Sequence, residues 1–134
     1  MTGLPLKSAF ACSLVPFVLW IGCSGHHRYL EMGAIGHILE IHKAESRFYE
    51  EHGFYATLAQ LGPERANSIN SHLAAGSVDG YSVEVEVGSF GYSVKARPMV
   101  WGRDGRRSFF SDQTGEIHQS WEDRAATITD EILR

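Results

Sequence analysis

Seven histidines, two cysteines and one Asp-Gln-Thr-Gly turn are the groups in this 134-residue chain that could do chemistry. Histidines could hold a metal, but their spacing works against that role. His37 and His42 are five residues apart and do not share a helix face, and His26 and His27 lie in a small polar stretch, "SGHHR". No Gly-x-Ser-x-Gly, phosphate loop, His-Glu-x-x-His or paired-Cys metal spacing occurs. Asp112 in "SDQTG" could suggest calcium, yet its neighbours supply few carboxylates, and Asp/Gly turn chemistry accounts for the motif. The expectation is a non-enzyme with no catalytic residues, no metal ligands, no cofactor and no small-molecule substrate.

Cys23 is the residue whose surroundings point to chemistry. Lys7 is the only charge before Arg28, and between them runs "AFACSLVPFVLWIG", an apolar stretch of about 14 residues. A membrane-crossing helix takes roughly 20 such residues, whereas a secretory signal needs only this length. The stretch ends in Gly22, Cys23, Ser24 and Gly25, which resembles a bacterial lipobox: cleavage before a Cys whose thiol carries a diacylglycerol. Gly22 and Ile21 fit that pattern, while Trp20 stands where Leu is usual. An inert buried thiol, an uncleaved anchor and an ordinary cut nearby remain alternatives. Cys12 would leave with the signal, so Cys23 would have no disulfide partner within the mature chain. The expected organisation is a signal peptide over 1–22, a lipidated Cys23 with linker over 23–29, and one globular domain over 30–134.

The rest of the chain supplies elements rather than motifs. Its length and 43% apolar content suit one domain. A net charge of −4 with scattered Lys and Arg lacks the basic field that nucleic acid would require. From Leu30 to His52 the apolar positions Ala34, Ile38, Ile41 and Phe48 repeat at helical spacing, and Gly53 is placed for a left-handed cap. A loop pinned by Tyr55, Leu58 and Leu61 follows, then a short helix expected over Pro63 to Ala75. "YSVEVEV" (81–87) and "YSVKARP" (92–98) alternate strictly around a Gly-rich turn and predict a hairpin, with Val83, Val85 and Val94 inward and Glu84 and Glu86 able to face Lys95 and Arg97. "RSFFS" (107–111) and "EIHQS" (116–120) add two strands, and the tail 121–134 has no firm period, reading as a frayed helix or a docked segment. The predicted fold is α+β: one long N-terminal amphipathic helix packed on a four-stranded antiparallel meander.

In order and spacing, residues of about 30–120 resemble the soluble half of bacterial type IV pilin-like proteins, including type II secretion pseudopilins. The helix and following loop match at Ala44, Phe48, Tyr49, Gly53, Tyr55, Leu58 and Leu61, with Ala56 where Pro is common. "YSVKARP" and "RSFFSDQTGEIHQ" are similar to the family's sheet and last hairpin, a region in which some pseudopilins bind calcium. Upstream the chain departs from that pattern. The family's Gly cleavage site, its following Phe and fifth-position Glu, and the roughly 20 apolar residues that bundle in filament cores have no counterpart. Together with the lipobox-like end at Cys23, the resemblance implies an exported, lipid-anchored envelope protein with a structural or interaction role, whose partners are the membrane and pilus or secretion-system proteins. The alternative is a periplasmic or surface binding module that holds a ligand or metal on the same fold.

Overall fold

A computed structural model describes the backbone from Leu4 and the side chains from Gly25 to Arg134. Cys23 and the signal expected over 1–22 therefore lie outside the residues whose side chains are described. Helix α1 (Leu4–His52) has 49 residues, about 74 Å at 1.5 Å per residue. It runs unbroken through residues 25–29, the stretch read from sequence as a linker. At its end Gly53 adopts φ 77°, and its N–H donates to the Tyr49 carbonyl at 2.7 Å. A residue without Cβ takes this left-handed turn without penalty, so the chain can fold back here.

Of the short helix expected over Pro63 to Ala75 only one turn forms, α3 (Ser71–Ala74), and a second single turn, α2 (Leu58–Leu61), stands in the segment read as a loop. In α2 Thr57 and Gln60 form a reciprocal capping box, and in α3 the Asn70 side chain accepts from the Leu73 N–H at 2.9 Å. Between them Asn67 sits at φ 51°, a conformation no helix interior tolerates. Asn67 and the Asn70 cap thus push the helix start past the position Pro63 suggested.

The four-stranded meander predicted from sequence is corrected to six antiparallel strands, in chain order across the sheet. They are β1 (Ser77–Val78), β2 (Tyr81–Val87), β3 (Tyr92–Pro98), β4 (Ser108–Asp112), β5 (Ile117–Ser120) and β6 (Glu131–Ile132). The added strands lie at the two edges. β1 is joined to β2 by Asp79 and Gly80 at φ 49° and 78°, the paired positive angles of a two-residue hairpin whose twist matches its strands. β6 pairs Ile132 with His118 and Glu131 with Gln119. The rest of the tail docks through Arg124, which grips Asp130 with two bonds of 2.8 and 2.6 Å, while the Arg124 carbonyl accepts from the Ser108 hydroxyl at 2.7 Å. Across the central hairpin Glu84 stands opposite Lys95, but Lys95 reaches diagonally to Glu86 at 3.6 Å and Arg97 pairs with Asp123 at 2.9 Å.

The core is a single layer between α1 and one sheet face. Ala34, Ile38, Ile41 and Phe48 are buried against Val83, Val94, Ala96 and Phe109, and Leu61 closes the end beneath α3. Tyr55, Leu58 and Val85 are half-buried at its rim.

Candidate functional site

The buried stripe of α1 is not wholly apolar. Residues 31, 34, 38, 41, 45 and 48 follow the alternating three-four spacing of a helix seam, and all six are buried, yet two of them are Glu31 and Glu45. Two carboxylates thus lie between helix and sheet, 14 residues apart, or about 21 Å along the axis. Each meets a different set of partners.

Glu31, at the foot of the domain, is fully used. Its two oxygens accept from the Arg106 backbone N–H and the Arg107 Nε, both at 2.9 Å. Arg107 also donates to Gln119 Oε1 at 2.9 Å, and its guanidinium lies 5.4 Å from the Phe109 ring centroid and 5.0 Å from that of Trp121. The Tyr81 hydroxyl donates to the Arg107 carbonyl at 2.8 Å, and burial pushes this phenol well above its ordinary range. Gly105 passes so close to that hydroxyl that a Cβ there would collide with it.

Glu45, near the other end of the seam, is half satisfied. One oxygen accepts from the Ala56 N–H at 2.8 Å, fastening the loop after Gly53 onto the helix, while Oε1 is buried without a partner. Burial raises this carboxyl to about 7, a shift the Ala56 bond opposes. One turn earlier, His42 spans helix and sheet by bonding the Tyr92 hydroxyl through Nδ1 and Ser111 Oγ through Nε2, the latter at 2.7 Å. Ser111 Oγ donates to the Glu116 carbonyl at 2.6 Å, so its single proton is spent. His42 Nε2–H then donates to Ser111, and Nδ1 accepts from Tyr92. Burial lowers the His42 pKa against the opposing pull of Asp112, and raises that of Tyr92, with the nearby Glu45 carboxylate adding to the rise.

A Ser-His pair invites comparison with nucleophilic catalysis, but this one lacks the required exposure. Ser111 is completely buried and its hydroxyl is directed at a main-chain carbonyl, so no acyl group could reach it. What the arrangement can do is brace helix against sheet and hold one titratable proton on Glu45 near neutral pH. Asp112, considered for calcium, caps its own turn by accepting from the Thr114 N–H at 3.0 Å and from the Thr114 hydroxyl. His37 bonds Asp79 at 2.8 Å, and among the described residues no group of three or more His, Cys, Asp or Glu side chains is placed to hold a metal ion.

Of the core residues expected from sequence, Ala34, Ile38, Ile41 and Phe48 line one seam, Leu61, Val83 and Val94 are buried beside it, and Tyr55, Leu58 and Val85 are half-buried, whereas the two carboxylates within the seam were not anticipated. Their signal was present, because positions 31 and 45 fall in register with Ala34, Ile38, Ile41 and Phe48. Among the described residues no helix is long and apolar enough to cross a membrane. The chain matches no protein-family profile, no curated protein and no solved structure.

Proposed function

We propose that this chain is a non-enzymatic, lipid-anchored, pilin-like envelope protein with a structural or interaction role beside a pilus or type II secretion assembly. The observation that carries this reading is where α1 meets the domain. Among the described residues its core and ion-pair contacts with the rest of the domain fall between Leu30 and Phe48. Residues 30–48 are thus committed to the domain, and in the sequence they follow the apolar stretch that ends at Gly22, just before Cys23. A helix that clamps a meander sheet at one end and carries an attachment group at the other suits a subunit held at a membrane. Acyl chains on Cys23 would supply the attachment; one chain alone is marginal, and two or more hold firmly.

The test is Cys23→Ser. The parent chain is expected in the membrane fraction and the variant outside it, or arrested as an unprocessed precursor. A variant that matures and fractionates like the parent would overturn the anchored reading.

A further inference from the structure

We propose that the foot of the domain docks on the headgroup layer of an anionic phospholipid bilayer, so that the domain lies against the membrane instead of swinging free above it. The proposal rests on the anchored reading above. An open cleft of about 410 Å³ at this foot is lined by Arg28, Met32, Arg106 and Trp121 over the Glu31–Arg107 pair. Arg28 and Arg106 are exposed, and neither has a carboxylate partner among the described residues. Among the described residues Glu31 is the only carboxylate lining the cleft, and it is spent on Arg107 and the Arg106 backbone N–H. Beside these two free cations stand large apolar groups left in water: Met32 is 70% exposed, Trp121 62% and the neighbouring Tyr29 76%.

Unpaired guanidinium groups mixed with an indole, a phenol and a thioether match the chemistry of the bilayer interface. Amphipathic rings settle there at headgroup depth, and cations are drawn to anionic lipid. The chain as a whole carries −4, so most of its surface is repelled by such a bilayer and this patch is the orientation the field selects. The helix fixes the height. Arg28 follows Cys23 by five residues and Met32 by nine, which is about 7.5 and 13.5 Å along an unbroken helix. The interfacial layer on each side of the hydrocarbon is roughly 5–7 Å deep, so acyl chains on Cys23 would bring Arg28 to its outer edge, and the domain leans toward the bilayer to bring Met32 and Trp121 to the headgroups. The Trp121 ring is held over the cleft by its packing on Arg107.

The test uses the mature chain, purified from membranes and carrying Trp101→Phe; Trp20 leaves with the signal, so Trp121 is the only indole. It is reconstituted in phosphatidylcholine vesicles with and without phosphatidylglycerol, with a nitroxide on a fraction of the headgroups. Trp121 emission is expected to be quenched when phosphatidylglycerol is present. Quenching should fall in its absence, and with Arg28→Glu or Arg106→Glu, each shifting the ratio of docked to free domain by about fivefold or more. If the single-indole chain does not fold, the component lost from the parent's quenching on Trp121→Phe reads the same contact. A chain that floats with the vesicles but leaves Trp121 unquenched in both compositions overturns the docking and leaves the anchor standing, and the patch then belongs to a protein partner. A chain that does not float overturns the anchor and the docking with it.

Discussion

Replacing Glu45 by Gln should remove most of one specific pH dependence of stability. The side chain is completely buried, and its carboxyl is raised from the ordinary 4.5 to about 7. A carboxyl raised in the folded state favours the protonated form, so its contribution is fully present below 4.5, declines as pH rises from there, and is gone above about 7. Over that interval the folded chain binds more protons than the unfolded one, which makes stability fall with rising pH. At about 1.4 kcal/mol per tenfold, the displacement corresponds to roughly 3 kcal/mol between pH 4 and pH 8. His42 acts in the opposite sense: its pKa is lowered, so its contribution is lost as pH falls below the ordinary 6.5. The two are separated by comparing parent with Glu45→Gln, in which His42, Tyr92 and Asp112 are unchanged. Gln keeps an acceptor for the Ala56 N–H and cannot ionise, although its amide leaves a buried donor unpaired at a constant cost of about 1–3 kcal/mol. Urea unfolding of residues 26–134 across pH 4–8 should show the difference between the two chains moving by about 3 kcal/mol, the parent losing ground as pH rises. A difference that stays within about 0.5 kcal/mol across the range would refute the assignment of a buried, proton-holding carboxyl.

Three further outcomes follow from the same seam. Ile41→Ala or Phe48→Ala should cost roughly 2–5 kcal/mol in urea unfolding, because each leaves a cavity between helix and sheet; costs under about 0.5 kcal/mol in both would mean the stripe is misassigned. Glu31→Ala leaves the half-buried Arg107 uncompensated and should cost about 3 kcal/mol or more, whereas an exposed pair such as Lys95–Glu86 should cost under about 1 kcal/mol when broken. Residues 26–134 should be monomeric by light scattering and form no filaments under the electron microscope, since the described apolar stripe of α1 is already covered by its own sheet; ordered filaments would contradict this.

The parts of the fold legible in the sequence are those with a long period. The stripe through Ala34, Ile38, Ile41 and Phe48 and the alternation of residues 81–87 and 92–98 extend far enough for burial to leave a pattern. The edge strands are two residues each, too short to alternate, and β6 is set by tertiary pairing with His118 and Gln119. β1 did have a local signal in Asp79-Gly80, the commonest kind of tight-hairpin dipeptide, but Ser77 and Val78 gave it only two residues to close on. Helix through 25–29 was hidden because Gly25 and paired histidines are poor helix formers, and continuity with strong helix on the C-terminal side outweighs that preference. The buried carboxylates escaped notice for another reason. Charged residues in an amphipathic pattern are counted toward water, and only their register at 31 and 45, with Arg107 and Ala56 waiting across the seam, shows that these two face inward.

The central claim is that the mature chain begins at Cys23 and is held to the membrane there. Intact-mass and peptide mass spectrometry of the protein extracted from membranes tests it most directly. Residue 23 is expected as the N-terminus, carrying the mass of a diacylglycerol with or without a further acyl group. A mature chain that retains residues before Cys23, or one with an unmodified thiol at that position, would contradict it.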